Sequence, residues 1–580
     1  MRDDTEGYWS EPGRRSRTRR ALLRSAAFAG AGMAAVGMAG CASRPNGGAS
    51  GGQTAAGGSG AQAAPQPGGT LNVALPYNPP LDPQKVSAAA QAGIGGVYSR
   101  LLRFKTGLDP NASSDHDVEN DLAISIESPD AVTWTVKLRP DAKFHNLAPV
   151  NGHAVQAEDI KATFVRALDP ATGNPNRGSL TMMDPSQIQT PDASTVVFKL
   201  MYSYSPFRKL LASPSYSWIL PREALAGTYD LSKVAIGSGP FTLASVTPDV
   251  AYTYRKNPEW FERGGAWVDG VRLAIIPDNA QLLAQFAGGN LDEARIRSAD
   301  DADTVRRQTP KATVQVSLGG SSSPLYFQLG DPSSPFLDIR VRRAMSMAID
   351  RDAIASAIYG GQAELLVLLP GYVGKWAMKV KDLDQSMGQY YKYDPANAKK
   401  LLAAAGVPDL QVKFVYITNG PFSTPSYIKH AETVASMLNA VGVKATLGTN
   451  DYNKEFVDAG RGSRQGYFEK DTILFGAIGS NTDADDWLFS YLDSKSTSNQ
   501  EHLSDATYDD MVAKERATVS EDDRLKQVIA IQSYIADRMY APSTVGTHQW
   551  VAVNPRVQNY QFTQALGWMT ETDTKLWLKG

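Results

Sequence analysis

The residues best suited to chemistry are few, and their spacing excludes most of it. One cysteine, Cys41, and six histidines, His116, His145, His153, His430, His502 and His548, stand in 580 residues. A lone cysteine near the amino terminus leaves the rest of the chain without a disulfide, a thiolate nucleophile or a cysteine metal site. The histidines are scattered. None forms the H-E-x-x-H pair that sets two imidazoles on one helix face around zinc, so no metal is expected. The one G-x-S-x-G match, Gly48-Ala49-Ser50-Gly51-Gly52, lies in a Gly/Ala/Ser-rich stretch with no strand or helix pattern around it, so no nucleophile elbow is present. The densest charge is Asp483, Asp485 and Asp486, three carboxylates in four residues just before Trp487-Leu488-Phe489. They could bind a cation or a ligand amine, or they could cap a helix, the commoner use of such a run.

Those residues need elements to hold them, and the whole-chain numbers bound what these are. A chain of 580 residues exceeds the size at which one core stops growing, so two or three packed units are expected. Fifty-eight basic against 60 acidic residues give a net charge of −2, and no basic stripe follows residue 24, which disfavours a nucleic-acid partner. The 24 Tyr and 10 Trp mostly serve packing, with a minority free to line a pocket.

The amino terminus is an address. Thr18-Arg19-Arg20-Ala21-Leu22-Leu23-Arg24 carries the twin-arginine export pattern. The run from Ala21 to Gly40 holds Arg24 and four glycines, and falls short of the about 20 strongly apolar residues a span requires. Met38-Ala39-Gly40-Cys41 reads as a lipobox that makes Cys41 the lipidated new amino terminus. Residues 1–40 are thus a signal peptide. Residues 41–69, almost wholly Gly, Ala, Ser, Gln and Pro after Cys41, form a disordered tether.

Order begins at Thr70-Leu71-Asn72-Val73-Ala74-Leu75, whose alternation predicts a strand. Val132-Thr133-Trp134-Thr135-Val136-Lys137-Leu138 predicts another, followed by a turn to Phe144-His145 and a helix opening at Ala157-Glu158-Asp159-Ile160, its acids in the first turn. Asp338, Asp350 and Asp394 are predicted helix caps, with Pro395 in the first turn and Gly406 past the end of the third.

These segments resemble the peptide/nickel group of ABC-transporter solute-binding proteins, often called family 5. The resemblance rests on Thr135 to His145 with Ala157 to Ile160, a link lengthened here by Asn151-Gly152-His153. It also rests on Gly237-Ser238-Gly239-Pro240-Phe241, on Arg255-Lys256-Asn257-Pro258-Glu259-Trp260-Phe261, on Asp338 to Arg351, and on Tyr393 to Gly406. It implies a two-lobed α/β fold like that of periplasmic binding proteins (type II, in its large three-domain form), with a hinge and a ligand cleft between lobes. The expected layout is a first-lobe core of residues 70–97, 217–318 and 541–580, a small domain 98–216 inserted into it, and a second lobe 319–540. The implied function is that of an exported monomer, tethered to the outer face of the membrane through Cys41, that delivers peptide or another small organic ligand to an ABC permease and ATPase. No cofactor is expected.

The resemblance also suggests ligand residues. In peptide-binding relatives a loop aspartate meets the ligand's α-ammonium three positions before a D/E-P pair. If Asp483-Ala484 stands for that pair, Ser480 takes the aspartate's place and Ala477 that of a nearby aromatic. The pocket would then be roomier and neutral, which gives weight to oligosaccharide or another neutral solute. Further candidates are Tyr77 and Asn78 past the first strand, Ser238 in the Gly-rich turn, Tyr326 where the chain enters the second lobe, and Asp483, Asp485 and Trp487. Tyr326 could equally be core, and Trp487 reads more naturally as packed. A surface hydrolase is the alternative from another class: Ser426-x-x-Lys429 matches an S-x-x-K pattern, though no S-D-N accompanies it. A receptor uncoupled from transport would share the fold.

Overall fold

The computed structural model describes residues 65–580 apart from 87–92, 106–117, 263, 317–320, 421–422, 458–460, 477–482, 561, 563–565 and 567–570. The chain divides into Met1–Ala63, which lies outside the described residues, and Ala64–Gly580, to which everything below refers.

The predicted first strand is Thr70–Leu75. It pairs in parallel with Gly270–Ile275, which pairs antiparallel with Ala251–Lys256, and that strand takes Phe241–Thr247 on its other edge. Leu71, Val73 and Leu75 point into a core shared with Trp218, Tyr254 and the carboxyl-terminal Leu576 and Leu578. Burying each such side chain contributes roughly 1.5–3 kcal/mol.

A second core gathers residues 101 to 219, joined by Ile236 and Leu566. Its antiparallel sheet runs Ala123–Glu127, Thr133–Leu138, Thr195–Leu200 and Met183–Asp192 in spatial order. Helix α1 (Ala157–Leu168) packs Ile160, Phe164 and Ala167 into it; Asp159 closes a capping box with Gln156. A short helix, α2 (Phe207–Ala212), follows the sheet. Two of the sequence motifs meet beside this core. The buried His145 imidazole spans the Gly-Ser-Gly turn, with Nε2 3.0 Å from the Gly239 carbonyl and Nδ1 accepting the Gly237 amide at 3.4 Å. A carbonyl needs a donor and an amide needs an acceptor, so the ring is neutral with its proton on Nε2. Burial agrees, pushing His145 down to about 4. The glycines are there for room: a Cβ on Gly237 would stand 2.2 Å from the Val97 carbonyl oxygen.

The third and largest core surrounds a sheet ordered Leu325–Phe327, Thr472–Phe475, Gln411–Ile417 and Lys444–Asn450. Helices α3 (Ile339–Met347), α4 (Arg351–Tyr359) and α5 (Pro395–Ala404) are capped by Asp338, Asp350 and Asp394, as their sequences predict. Helix α6 (Pro425–Ala440) carries the chain between the parallel strands Gln411–Ile417 and Lys444–Asn450. Helices α7 (Ala484–Leu492), α8 (Ala506–Ala517) and α9 (Glu521–Arg538) complete it.

Two chain segments run from this core to the strands Thr313–Val316 and Trp550–Val553, which pair with each other. They lie antiparallel. Ser321 and Thr547 exchange amide bonds at 2.9 and 2.7 Å, the Thr544 amide donates to the Ser323 carbonyl at 2.9 Å, and that of Leu325 to Pro542 at 3.0 Å. Glu501 ties both segments, its Oε1 accepting the Phe327 amide at 3.0 Å and the Ala541 amide at 3.2 Å.

Candidate functional site

Helix α7 begins where the three aspartates stand. Asp483 has extended backbone and accepts the Asp485 amide at 2.9 Å, while the Asp486 carboxylate accepts the Asp483 amide at 3.2 Å. This box satisfies amides that the first helical turn leaves open, and acids suit the positive end of the helix. The capping predicted from sequence is present. All three carboxylates are buried.

Each is answered by the protein, and partly by the second core. Arg524 of α9 grips both oxygens of Asp483, Nη1 lying 3.1 Å from Oδ2, and Lys209 of α2 places its ammonium 3.4 Å from Oδ2. Burial works against the Asp483 charge, but Arg524 and Lys209 outweigh it and hold the carboxyl well below the usual range. Arg524 also donates to Glu515 of α8 at 2.5 Å. Burial, reinforced by Asp485 and Asp483 and opposed by Arg524, pushes Glu515 up to about 8. Asp485 accepts the Tyr204 hydroxyl at 2.8 Å and forms an ion pair with Arg516 at 3.1 Å. Asp486 accepts the Tyr216 hydroxyl at 3.2 Å. The Ser205 amide donates to the Arg516 carbonyl at 2.9 Å. The Lys209 ammonium and the Arg524 guanidinium each lie 4.8 Å from the centre of the Trp376 ring. Tyr204, Ser205, Lys209 and Tyr216 thus reach across a seam into the third core. Every member of this cluster has a partner within the protein.

The other candidates fall elsewhere. Tyr77 follows the first strand and is half-buried; burial pushes its phenol up to about 12, the Arg295 cation opposing and Tyr452 of the third core adding. Asn78 is exposed, and its amide exchanges two hydrogen bonds with Asp249, at 2.6 and 2.8 Å. Ser238 is fully buried and its hydroxyl has no hydrogen-bond partner among the described residues. Tyr326 is likewise buried, stacked on Tyr491 at 6.4 Å, its hydroxyl without such a partner. Gly476 presses on that ring: a Cβ there would lie 2.6 Å from Tyr326 Cε2. Trp487 packs 5.2 Å from Tyr491 and is fully buried. Ala477 and Ser480 lie outside the described residues, as do Cys41, Arg19 and Arg20.

Among the described residues one group of His and carboxylate side chains is close enough to share an ion, His153, Asp159 and Glu223. Its atoms are already served: His153 Nε2 lies 3.0 Å from Glu223, and Asp159 accepts the amides of Gln156 and Arg222 with the Arg222 guanidinium 3.5 Å away.

Sequence reasoning missed Tyr204, Lys209, Tyr216, Glu515, Arg516 and Arg524. Only Arg524 left a trace. It stands in the first turn of α9 after three acids, where the helix dipole disfavours a cation, so another partner had to hold it.

The family described as bacterial extracellular solute-binding proteins, family 5 Middle, matches residues 117–499. Heme-binding protein A of Haemophilus influenzae is 26% identical over 489 residues, 80% of this chain and 84% of that protein. Di/tripeptide-binding protein 2 of Pseudomonas aeruginosa is 26% identical over 453 residues, 74% of this chain and 80% of that protein. The ABC transporter-associated periplasmic binding protein DppA of Helicobacter pylori, solved with the peptide STSA, superposes with a TM-score of 0.73 at 20% identity, over 89% of this chain and 99% of that one.

Proposed function

This chain belongs to the bacterial extracellular solute-binding proteins of family 5, and from that membership we propose that it captures a peptide or a similarly sized organic solute between two lobes and hands it to an ABC permease. The fold is the two-lobed α/β fold of its solved neighbours, and the protein is the extracytoplasmic binding component of an ABC importer. No helix among the described residues is long and apolar enough to cross a membrane.

The observation that carries the mechanism is the antiparallel pair of crossing segments, 321–325 with 542–547, which joins the sheet of the third core to the paired strands Thr313–Val316 and Trp550–Val553. A few backbone bonds can absorb a rotation while the cores stay rigid, the usual basis of hinge closure. We assign residues 70–97, 217–318 and 541–580 to the first-lobe core, 98–216 to a domain inserted in it, and 319–540 to the second lobe. Ligand shifts the equilibrium only by binding the closed form better, and turning a mostly open population mostly closed takes about 3–5 kcal/mol of such preference. The permease then distinguishes the loaded from the empty form, and no chemistry on the ligand is required.

Tyr77 is a candidate for the cleft because it lies near groups on both sides, Arg295 and Tyr452. Tyr326, Ser238 and Trp487, all buried, back the wall of the cleft in this reading, and Ala477 and Ser480, from the segment before α7, complete it. Asn78 orders the rim through Asp249, and Asp483 and Asp485 set the start of α7 beside the ligand. Export through Arg19 and Arg20 and lipidation at Cys41 place a monomer on the outer face of the membrane; Cys41→Ala should move the protein from the membrane to the soluble fraction.

Peptide is the first ligand class because the Pseudomonas relative is a di/tripeptide binder by name and the Helicobacter structure holds a peptide. A neutral organic solute is the second reading, favoured by Ser and Ala at 480 and 477. Mass spectrometry of the small molecules that co-purify from the native host decides between them, followed by calorimetry with the molecule found. A protein that carries nothing, and that no peptide, glycoside or other organic solute pool stabilises, would overturn the assignment.

A further inference from the structure

The buried seam is larger than a capped helix needs. Three cations, Lys209, Arg516 and Arg524, face four carboxylates, Asp483, Asp485, Asp486 and Glu515, all within one contact network. Its members divide unevenly between the cores. Arg516, Arg524 and all four acids belong to helices α7, α8 and α9, and keep one another whatever the other lobe does. Lys209 and the hydroxyls of Tyr204 and Tyr216 come from the inserted domain, 281 and 270 positions away for the two tyrosines. These side chains and the Ser205 amide exist as partners only while the two bodies touch.

We propose that Lys209, Tyr204 and Tyr216 form a closure latch, a set of positioning residues that favour the closed form by completing an ionic cluster already assembled in the second lobe. The idea deepens the binding-protein reading and rests on it. Three features suit a latch rather than ordinary packing. Lys209 enters a slot prepared in the second lobe, its ammonium over the Trp376 ring and against Asp483 with only 17% of its side chain exposed. An ammonium removed from water in this way requires a partner, so the slot takes a cation and rejects a neutral chain. Both tyrosines donate to carboxyl groups at the start of α7, Tyr204 to Asp485 and Tyr216 to Asp486, so their bonds are directional and cross between the bodies. The contacts of Lys209, Tyr204 and Tyr216 with the cluster are polar or charged, so water that enters an open seam can replace them. Asp483 records the connection: Lys209 is one of the two cations that hold its carboxyl low.

Each of the three contacts is a bond to a charged group, and its loss lowers the closed-to-open ratio about tenfold. The test uses the mature protein in a Cys41→Ser background with spin labels at exposed positions 143 and 399, one on each side of the seam, and reads the distance distribution without ligand. Lys209→Met shifts population from the short to the long distance, Lys209→Arg restores it, and the triple variant Lys209→Met, Tyr204→Phe, Tyr216→Phe lowers the ratio about a thousandfold, enough to show even if the wild type is almost wholly closed. Matching circular dichroism spectra certify that each variant folds. A random tripeptide pool is then added. Failure of the pool to shorten the distance in the wild type counts against the ligand class and leaves the ligand-free comparison standing. A triple variant whose ligand-free distances coincide with those of the wild type overturns the latch.

Discussion

Glu501 stands at the crossing of the two segments, and its charge state predicts how stability changes with pH. Its Oε1 accepts the Phe327 and Ala541 amides, Oε2 has no hydrogen-bond partner among the described residues, and the side chain is fully buried. Burial dominates, opposed by the two amides and the Arg342 cation, and pushes the acid up to about 8 from 4.5. The folded protein therefore keeps a proton that the unfolded chain has released. Stability from this group is complete below pH 4.5 and drains away as pH rises toward 8, by as much as about 5 kcal/mol at 1.36 kcal/mol per pKa unit. A unit the size of Ala64–Gly580 unfolds with an entropy of about 1 kcal/mol/K, so the full effect is about 4–5 °C in Tm. Glu501→Gln keeps the carbonyl that accepts both amides and cannot ionise. Scanning calorimetry of both proteins from pH 5 to 8.5 should give a difference in Tm that moves in favour of the variant by several degrees across that range. A constant offset at every pH would refute the reasoning, because a purely steric or hydrogen-bonding cost does not titrate.

Other consequences can be measured directly. Arg524→Met leaves the buried Asp483 and Glu515 without their shared cation, so it should cost about 3–5 kcal/mol and lower Tm by about 3–5 °C in calorimetry. Tyr326→Phe removes a buried hydroxyl that has no described partner, and should leave Tm unchanged or slightly higher; a loss of ligand affinity in titration calorimetry without a fall in Tm would place that hydroxyl against the solute. Ser480→Asp, which lies outside the described residues and rests on sequence alone, should raise affinity for free-amine peptides, and unchanged or uniformly weaker binding would reject the assumed loop register.

What could be read in the sequence was local. Thr70–Leu75 and Thr133–Leu138 alternate with period two, so strand and buried face were visible together. The caps at Asp338, Asp350 and Asp394 span three residues or fewer and need no tertiary knowledge. The Gly-Ser-Gly turn was visible as a motif, but not the reason for it, which is the approach of Val97 to within a Cβ radius and the grip of His145 from 92 positions away. The aspartates at 483, 485 and 486 were legible as caps and opaque as ion-pair partners. Nothing near Tyr204 or Lys209 in the chain announces a carboxylate almost 300 residues later.

Hinge and seam constrain each other in a way neither does alone. A hinge made of a few amide bonds sets little preference between open and closed, so that preference must come from contacts that exist in one form only. Ligand supplies some of it and the seam supplies the rest. If the seam supplied too much, the empty protein would close and compete with the loaded one for the permease. Charged contacts suit this balance better than apolar ones, since the water that re-enters an open seam solvates Lys209 and the aspartates and returns most of what the contact contributed. A leucine-lined seam of the same area would have no such counterweight. On this argument, Lys209→Met should open the empty protein while Arg524 keeps Asp483 paired and α7 capped, so the variant loses closure without losing the second lobe's own cluster.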